Sequence, residues 1–171
     1  YMGHSSDGFT QRVKRNPMAV DGDLDHFAFL GYIDDQFVDC TPTKIATEAL
    51  TWRGVRRCAQ SSTEEQVDVA LIGDSHAEHL FIGLSEALPK HNIAYYIQAA
   101  VPVLGSEQFE TIFSHVLEDK YITVVVLTMS YGRPLREYGP IDQLQVELER
   151  TIESLVDSGK RVVVVGDIPL F

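Results

Sequence analysis

Short apolar runs alternate along the chain with segments that carry apolar residues at helical spacing. The runs cover residues 67–72, 93–98, 122–128 and 161–165 and have the length of strands, and the first of them is apolar and rich in β-branched residues, as is typical of a strand buried on both faces. Because strands that alternate with helices form parallel sheets, the pattern predicts a three-layer α/β/α domain of flavodoxin-like shape. The carboxyl ends of its strands form one rim, where such folds bind ligands.

Three segments between these strands carry apolar residues three or four positions apart and are predicted as helices. Their apolar positions are Leu80, Ile82, Leu84, Ala87 and Leu88 in the first; Phe109, Ile112, Phe113, Val116 and Leu117 in the second; and Ile141, Leu144, Leu148, Ile152 and Leu155 in the third. Each helix is expected to bury one stripe against the sheet.

The first 60 residues differ from the rest and are predicted to form an irregular extension. Residues 3–25 are polar and are interrupted by glycine and proline, whereas residues 27–38 are richer in aromatics. Little of this segment resembles a core. We therefore divide the chain into an N-terminal extension, residues 1–60, that packs on an α/β domain, residues 61–171.

Within the extension, residues 43–52 are expected to form a short helix after Pro42, capped by Thr41 or Thr43. Trp52 is a large aromatic residue at the end of this segment. It either anchors the extension in a hydrophobic core or stacks on a sugar ring, and the sequence leaves both roles open.

The net charge is −11, and 17 of the 25 acidic residues follow residue 60, so the predicted α/β domain is the acidic part. This charge argues against nucleic acid as a partner and is compatible with a neutral sugar. No run of about 18 apolar residues is present, so no transmembrane helix is predicted. The chain opens with Tyr1 and lacks a signal peptide, so we expect it to be part of a longer protein.

Ser75 lies where the first apolar run meets the first predicted helix, directly after Gly73 and Asp74. A helix start carries unpaired backbone N–H groups and partial positive charge, so an oxyanion formed beside Ser75 would be stabilised there. Asp74 and Ser75 are also good helix caps. Spacing alone is therefore compatible both with a catalytic serine and with a helix that is merely well capped.

Residues 73–77, Gly-Asp-Ser-His-Ala, resemble the first sequence block of the SGNH hydrolase superfamily. The His76-Ala77 pair is similar to the branch that is fused to bacterial membrane proteins of the acyltransferase 3 family. The likeness covers about residues 38–171 and includes Asp39-Cys40, residues 57–61 (Arg-Cys-Ala-Gln-Ser), residues 77–80 and Gly83-Leu84.

The resemblance implies a function at the cell envelope. In this family the soluble domain lies outside the inner membrane and takes part in O-acetylating cell-surface glycans such as lipopolysaccharide O-antigen. We therefore expect a periplasmic O-acetyltransferase domain, fused to a membrane acyltransferase, that acts on a surface polysaccharide or a lipid-linked glycan. The domain itself is expected to bind no cofactor, since acetyl-CoA would be the ultimate donor at the membrane part. Alternatives are a carbohydrate O-acetyl esterase and a non-catalytic glycan-binding module.

The resemblance also implies roles for two residues. Ser75 would be the nucleophile that forms an acyl-serine, and its own N–H would help to bind the oxyanion. Gly105 lies where the superfamily places a glycine whose N–H completes this oxyanion hole. A turn before the next helix would explain Gly105 equally well, and the sequence leaves the choice open.

The third sequence block departs from the wider superfamily, which has Gly-x-Asn-Asp after its third strand. Here residues 128–133 are Thr-Met-Ser-Tyr-Gly-Arg, so no asparagine is available to donate to an oxyanion. Ser130, a backbone N–H and Arg133 are the candidate substitutes. Tyr131 and Tyr138 are either sugar-stacking faces or local packing residues.

A serine nucleophile also needs a histidine base and a carboxylate that orients it, which the family supplies from a C-terminal Asp-x-x-His block. No histidine follows His115, and Asp167 has no partner histidine, so the triad is expected to be completed beyond Phe171. The predicted domain is thus C-terminally incomplete. His76 and His79 are expected to contact substrate or to support the site.

Cys40 and Cys58 are the two cysteines of the chain, 18 positions apart. Neither has the close Cys or His neighbours of a zinc site, and no metal site is predicted elsewhere. They form either a disulfide or two separate thiols. The resemblance, which implies an oxidising periplasm, favours the disulfide.

Overall fold

The computed structural model describes residues 26–52, 54–130 and 140–166. Two compact units divide the chain, residues 1–36 and residues 37–171. The described part of the first unit is helix α1, His26–Gln36. All other elements belong to the second unit, which carries Ser75.

The strands of the second unit are β1 (Val38–Asp39), β2 (Thr51–Trp52), β3 (Val55–Arg56), β4 (Cys58–Gln60), β5 (Val69–Gly73), β6 (Ile93–Ile97), β7 (Val124–Thr128) and β8 (Arg161–Val165). Its described α-helices are α2 (Thr43–Glu48), α3 (Ser75–Ala87), α4 (Glu110–Glu118) and α5 (Ile141–Asp157), and a 3₁₀ turn, Glu107–Phe109, precedes α4.

A six-stranded sheet in the order β1-β4-β6-β5-β7-β8 forms the centre of this unit. Strands β6, β5, β7 and β8 are parallel, whereas β4 and β1 are antiparallel to their neighbours. The parallel strands are the four that the apolar runs predict. The predicted α/β/α class is therefore confirmed, with the correction that the sheet is mixed rather than purely parallel.

Helices cover both faces of the sheet. On one face Phe81 of α3 packs edge-on against Tyr95, with ring centroids 4.7 Å apart. On the other face Tyr96 lies across from His115 of α4, with ring centroids 6.3 Å apart. Because Tyr95 and Tyr96 are consecutive in β6, their side chains point to opposite faces, so α3 and α4 lie on opposite sides of the sheet.

The two antiparallel strands come from the segment that the sequence pattern assigns to an irregular extension. In β4, Cys58 pairs with Tyr96 of β6, and β1 pairs with β4. The predicted Cys40–Cys58 disulfide is confirmed, with Cα atoms 5.3 Å apart. A bridge that closes a loop of this size stabilises a protein by about 3 kcal/mol in the chain-entropy model. The packing of residues 1–36 stays a prediction.

The short helix of this segment begins at Thr43, as predicted, but it is capped and ends differently from the prediction. Its N-cap is Pro42, with no side-chain cap hydrogen bond, so the expected cap by Thr41 or Thr43 is wrong. The Thr41 backbone N–H and hydroxyl instead donate to Oε1 of the buried Gln60, at 2.9 and 3.0 Å. Satisfying a buried amide outweighs the local cap in this case.

Helix α2 also stops at Glu48, short of the predicted residue 52. The two final residues of the predicted helix form β2, which pairs with β3 in a separate two-stranded sheet. The side chain of Trp52 lies outside the described part of the structure, so its two possible roles stay predictions.

Gly73 ends β5 and lies against the neighbouring strand β7. A Cβ atom built on Gly73 would lie 1.9 Å from the backbone oxygen of Thr128, its partner in the register of the sheet. No pair of unbonded atoms tolerates this distance. A side chain at position 73 would therefore push β7 away from β5 at the edge where the chain leaves the sheet toward Ser75.

We expect Gly73→Ala to destabilise the protein by about 1–3 kcal/mol or to prevent folding, because the new methyl group overpacks the β5–β7 contact. Gly83→Ala is the matched control, since a Cβ atom at Gly83 in α3 meets nothing within 4 Å. The control should be neutral or more stable by up to about 1 kcal/mol, the usual gain of alanine over glycine inside a helix. Denaturant unfolding measures both, and wild-type stability of Gly73→Ala would contradict the packing argument.

Candidate active site

The carboxyl ends of the four parallel strands lie side by side. Gly73 pairs with Ile97 on one side and with Thr128 on the other, and Thr128 pairs with Val165. The segment that follows β5 therefore starts between the ends of its two neighbouring strands. This edge is the predicted rim, and it is where Ser75 lies.

Ser75 is the first residue of α3, and its side chain is exposed. The cap of this helix is Asp74, whose Oδ1 accepts a hydrogen bond from the His76 N–H at 2.9 Å. Asp74 thus performs the capping role that the sequence also allows for Ser75. Within the described parts of the chain no hydrogen bond involves the Ser75 hydroxyl, so folding makes no visible use of it.

The Asp74 carboxylate also connects the start of α3 to the end of β7. Its second oxygen, Oδ2, accepts a hydrogen bond from the backbone N–H of Ser130 at 2.8 Å. Ser130 follows β7 and is half-buried. Its backbone N–H is therefore occupied, which leaves the Ser130 hydroxyl, rather than its amide, as a candidate oxyanion donor at this position.

Gly105 lies against helix α5. The N–H of the preceding residue, Leu104, donates to Thr151 Oγ1 at 2.9 Å, and a Cβ atom at Gly105 would lie 2.8 Å from Glu147 Oε2. Gly105 is exposed, and Val101 and Val103 of its segment belong to one buried hydrophobic cluster with Leu144 of α5 and Met129 after β7. A contribution of its N–H to an oxyanion hole stays a prediction.

The two histidines after Ser75 lie at the same edge. The rings of His76 and His79 are stacked with their centroids 6.3 Å apart. Both line a cavity of about 230 Å³ together with Thr128 and Val165, which end neighbouring strands. A cavity of this size beside the first turn of α3 can hold a small acyl group or part of a sugar.

Ser75 thus lies at the start of a helix, on the rim formed by the parallel strands of the sheet. A scan against protein-family models matches residues 39–171 to the model described as "SGNH domain (fused to AT3 domains)". The chain belongs to this SGNH family. Neither the curated proteins nor the solved structures yielded a significant match.

Membership of the SGNH family indicates hydrolase-type chemistry on acyl groups and a fused acyltransferase partner. The match covers the second unit from Asp39, including the disulfide-linked strands. Among the described helices, none combines the length and the apolar character needed to cross a membrane. Likewise, no group of three or more metal-ligating side chains occurs in the described part of the SGNH domain.

Several predicted site residues lie outside the described residues. They are Tyr131, Arg133 and Tyr138, in the segment 131–139, and Asp167. Their roles stay predictions, as does the catalytic Asp and His pair expected beyond Phe171. Among the described residues, no histidine hydrogen-bonds to the Ser75 hydroxyl.

A buried ion pair beneath Ser75 was not identified as functional from the sequence. Glu78, in the first turn of α3, is fully buried, and its Oε2 accepts a hydrogen bond from Arg57 Nη2 at 2.8 Å. The pKa of the Tyr95 hydroxyl is raised mainly because Tyr95 is buried, and secondly because the negative charge of Glu78 is close. Tyr95 therefore stays neutral. The sequence does contain one sign of this pair. Glu78 lies three residues before Phe81 and four before Ile82, so it shares the apolar face of α3 that the helix buries.

Two substitutions at Asp74 separate its two hydrogen bonds. Asp74→Asn keeps one acceptor oxygen and can still cap α3, whereas Asp74→Ala removes both hydrogen bonds. Loss of an N-cap costs about 1–2 kcal/mol. We therefore expect denaturant unfolding to rank wild type first, Asp74→Asn second and Asp74→Ala last. Equal stability of all three would show that this carboxylate does not hold the strand-to-helix junction.

Proposed function

We propose that the full protein is an O-acetyltransferase that transfers an acetyl group to a sugar hydroxyl of a bacterial cell-surface glycan, of the lipopolysaccharide O-antigen kind. The observation that carries this proposal is the exposed Ser75 hydroxyl in the first turn of α3, where Asp74 supplies the cap. A serine hydroxyl that makes no hydrogen bond within the described structure, at the positive end of the α3 dipole, is well placed to attack a carbonyl carbon.

The proposed reaction has two steps. First, Ser75 Oγ forms a bond to the acyl carbon and gives its proton to a base, and the leaving group departs with that proton. Second, the sugar hydroxyl attacks the acyl-serine and gives its proton to the base, which returns it to Ser75 Oγ as the ester bond to serine breaks. In both steps the oxyanion accepts a hydrogen bond from the Ser75 N–H and is stabilised by the α3 dipole.

The other groups of the site are part of the proposal. The base is a histidine from an Asp-x-x-His segment after residue 171, which follows the family pattern. The Gly105 N–H is the second oxyanion donor, and the Ser130 hydroxyl or Arg133 is the third. His76 and His79 line the cavity on the acyl or acceptor side.

The proposed donor is acetyl-CoA, which reacts at the fused AT3 domain on the cytoplasmic side of the inner membrane. The SGNH domain then receives the acyl group on the periplasmic side. The Cys40–Cys58 disulfide supports this location, because such bridges persist in oxidising compartments. The net charge of −11 is compatible with a neutral sugar acceptor.

A carbohydrate O-acetyl esterase is the second candidate. The exposure of Ser75 supports it, since water can reach an acyl-serine at this position. The two functions differ only in which hydroxyl resolves the intermediate. An esterase releases acetate rapidly from small esters without a membrane partner, whereas a transferase yields mainly acetylated glycan.

The test is Ser75→Ala in the full protein, with acetylation of the surface glycan measured by mass spectrometry or NMR. We expect acetylation to fall by at least about 10³-fold, the scale of loss when a serine nucleophile is removed. Ser85→Ala is the control on the same helix, because its hydroxyl donates to the Phe81 carbonyl at 2.8 Å and to no other group of the described residues. Unchanged acetylation in Ser75→Ala would exclude the nucleophile and favour a glycan-binding module.

A further inference from the structure

Residues 38–60, which contain the antiparallel strands β1 and β4 and the Cys40–Cys58 bridge, form a disulfide-linked arm of the sheet. The Arg57–Glu78 pair joins this arm to α3, the helix that carries Ser75. Arg57 directly precedes Cys58 and β4, and its own N–H donates to the Leu50 carbonyl at 2.7 Å. Its guanidinium reaches Glu78 with two nitrogens, Nη2 at 2.8 Å and Nε at 3.4 Å. The cation is thus fixed at its backbone and aimed at the first turn of α3.

The carboxylate of this pair is fully buried, and the guanidinium is mostly buried. The side chain of Glu78 is 0% exposed and that of Arg57 is 14% exposed. Burying two charges costs much of what their attraction returns, so such a pair is poor evidence for a gain in stability. However, a guanidinium that binds a carboxylate through two nitrogens allows only one relative orientation of the two side chains. The pair therefore fixes α3 relative to the segment that carries Arg57.

We propose that Arg57 and Glu78 are positioning residues that hold the first turn of α3, and with it the Ser75 hydroxyl, at a fixed place relative to β4. This inference rests on the proposed function of Ser75. Glu78 follows Ser75 by three residues, which is less than one helical turn, so a shift of the Glu78 side chain moves the same turn that carries the nucleophile. A displacement of 1 Å in a reacting group can cost about 100-fold in rate.

Two measurements on the full protein test the proposal. One is hydrogen exchange of the backbone amides in the first turn of α3, which reports on order without any chemistry at Ser75. The other is the rate at which a fluorophosphonate labels Ser75, with loss of fluoride. For Glu78→Gln, which keeps the shape and removes the charge, we expect at least ten-fold faster exchange and about 10- to 100-fold slower labelling.

A second variant separates positioning from stability. Arg57→Met combined with Glu78→Leu removes both buried charges of this pair together, so its unfolding midpoint should lie closer to that of the wild type than the midpoint of Glu78→Gln does. Exchange and labelling should stay altered, because the fixed geometry is gone. If the exchange rate and the labelling rate both return to wild-type values together with the unfolding midpoint, the proposal is overturned. The pair would then contribute to stability alone.

The control is Arg56→Met, the neighbouring arginine, whose ion pair with Asp39 is exposed and which should change neither measurement. The outcomes also separate this proposal from that of the preceding section. Faster exchange in Glu78→Gln with no labelling of the wild type would support positioning and refute the nucleophile. A labelled wild type whose labelling and exchange are unaffected by Glu78→Gln would overturn positioning and leave the nucleophile in place.

Discussion

The candidate site depends on the Asp74 carboxylate, which accepts one hydrogen bond from the His76 N–H and another from the Ser130 N–H. These two bonds fix the start of α3 against the end of β7. β5 and β7 can approach this closely because Gly73 has no Cβ atom, which would clash with the backbone oxygen of Thr128. Glycine and aspartate thereby define the junction, and the adjacent serine is exposed at its end without a role in holding it together.

Much of this arrangement could be predicted from the sequence. The parallel strands are long and apolar enough to be recognised as continuous apolar runs, and their alternation with amphipathic helices indicates the fold class. The strand-to-helix spacing places Ser75 at the junction, and the resemblance of residues 73–77 to the first SGNH block makes it the candidate nucleophile. The disulfide was predicted from two cysteines at suitable separation, with help from the family resemblance, and it is present in the structure.

Other features depend on contacts between residues that are distant in sequence. Strands β1 and β4 contain two and three residues, too few for an alternating pattern, and β4 joins the sheet only through β6. Thr41 is a plausible cap in the sequence, yet it bonds to Gln60, 19 residues away. The partner of Glu78 is Arg57, 21 residues earlier, and no local pattern indicates their pairing.

The proposed nucleophile of the SGNH domain, Ser75, thus lies at a helix start whose first turn is contacted by two other parts of the domain. Asp74 holds the junction from the β7 side, and Arg57 reaches the same turn from the disulfide-linked arm. The most direct test of the central claim is to treat the full protein with a fluorophosphonate and to locate the adduct by peptide mass spectrometry. The account predicts one adduct, on Ser75. An unmodified Ser75, or an adduct on another residue alone, would contradict it.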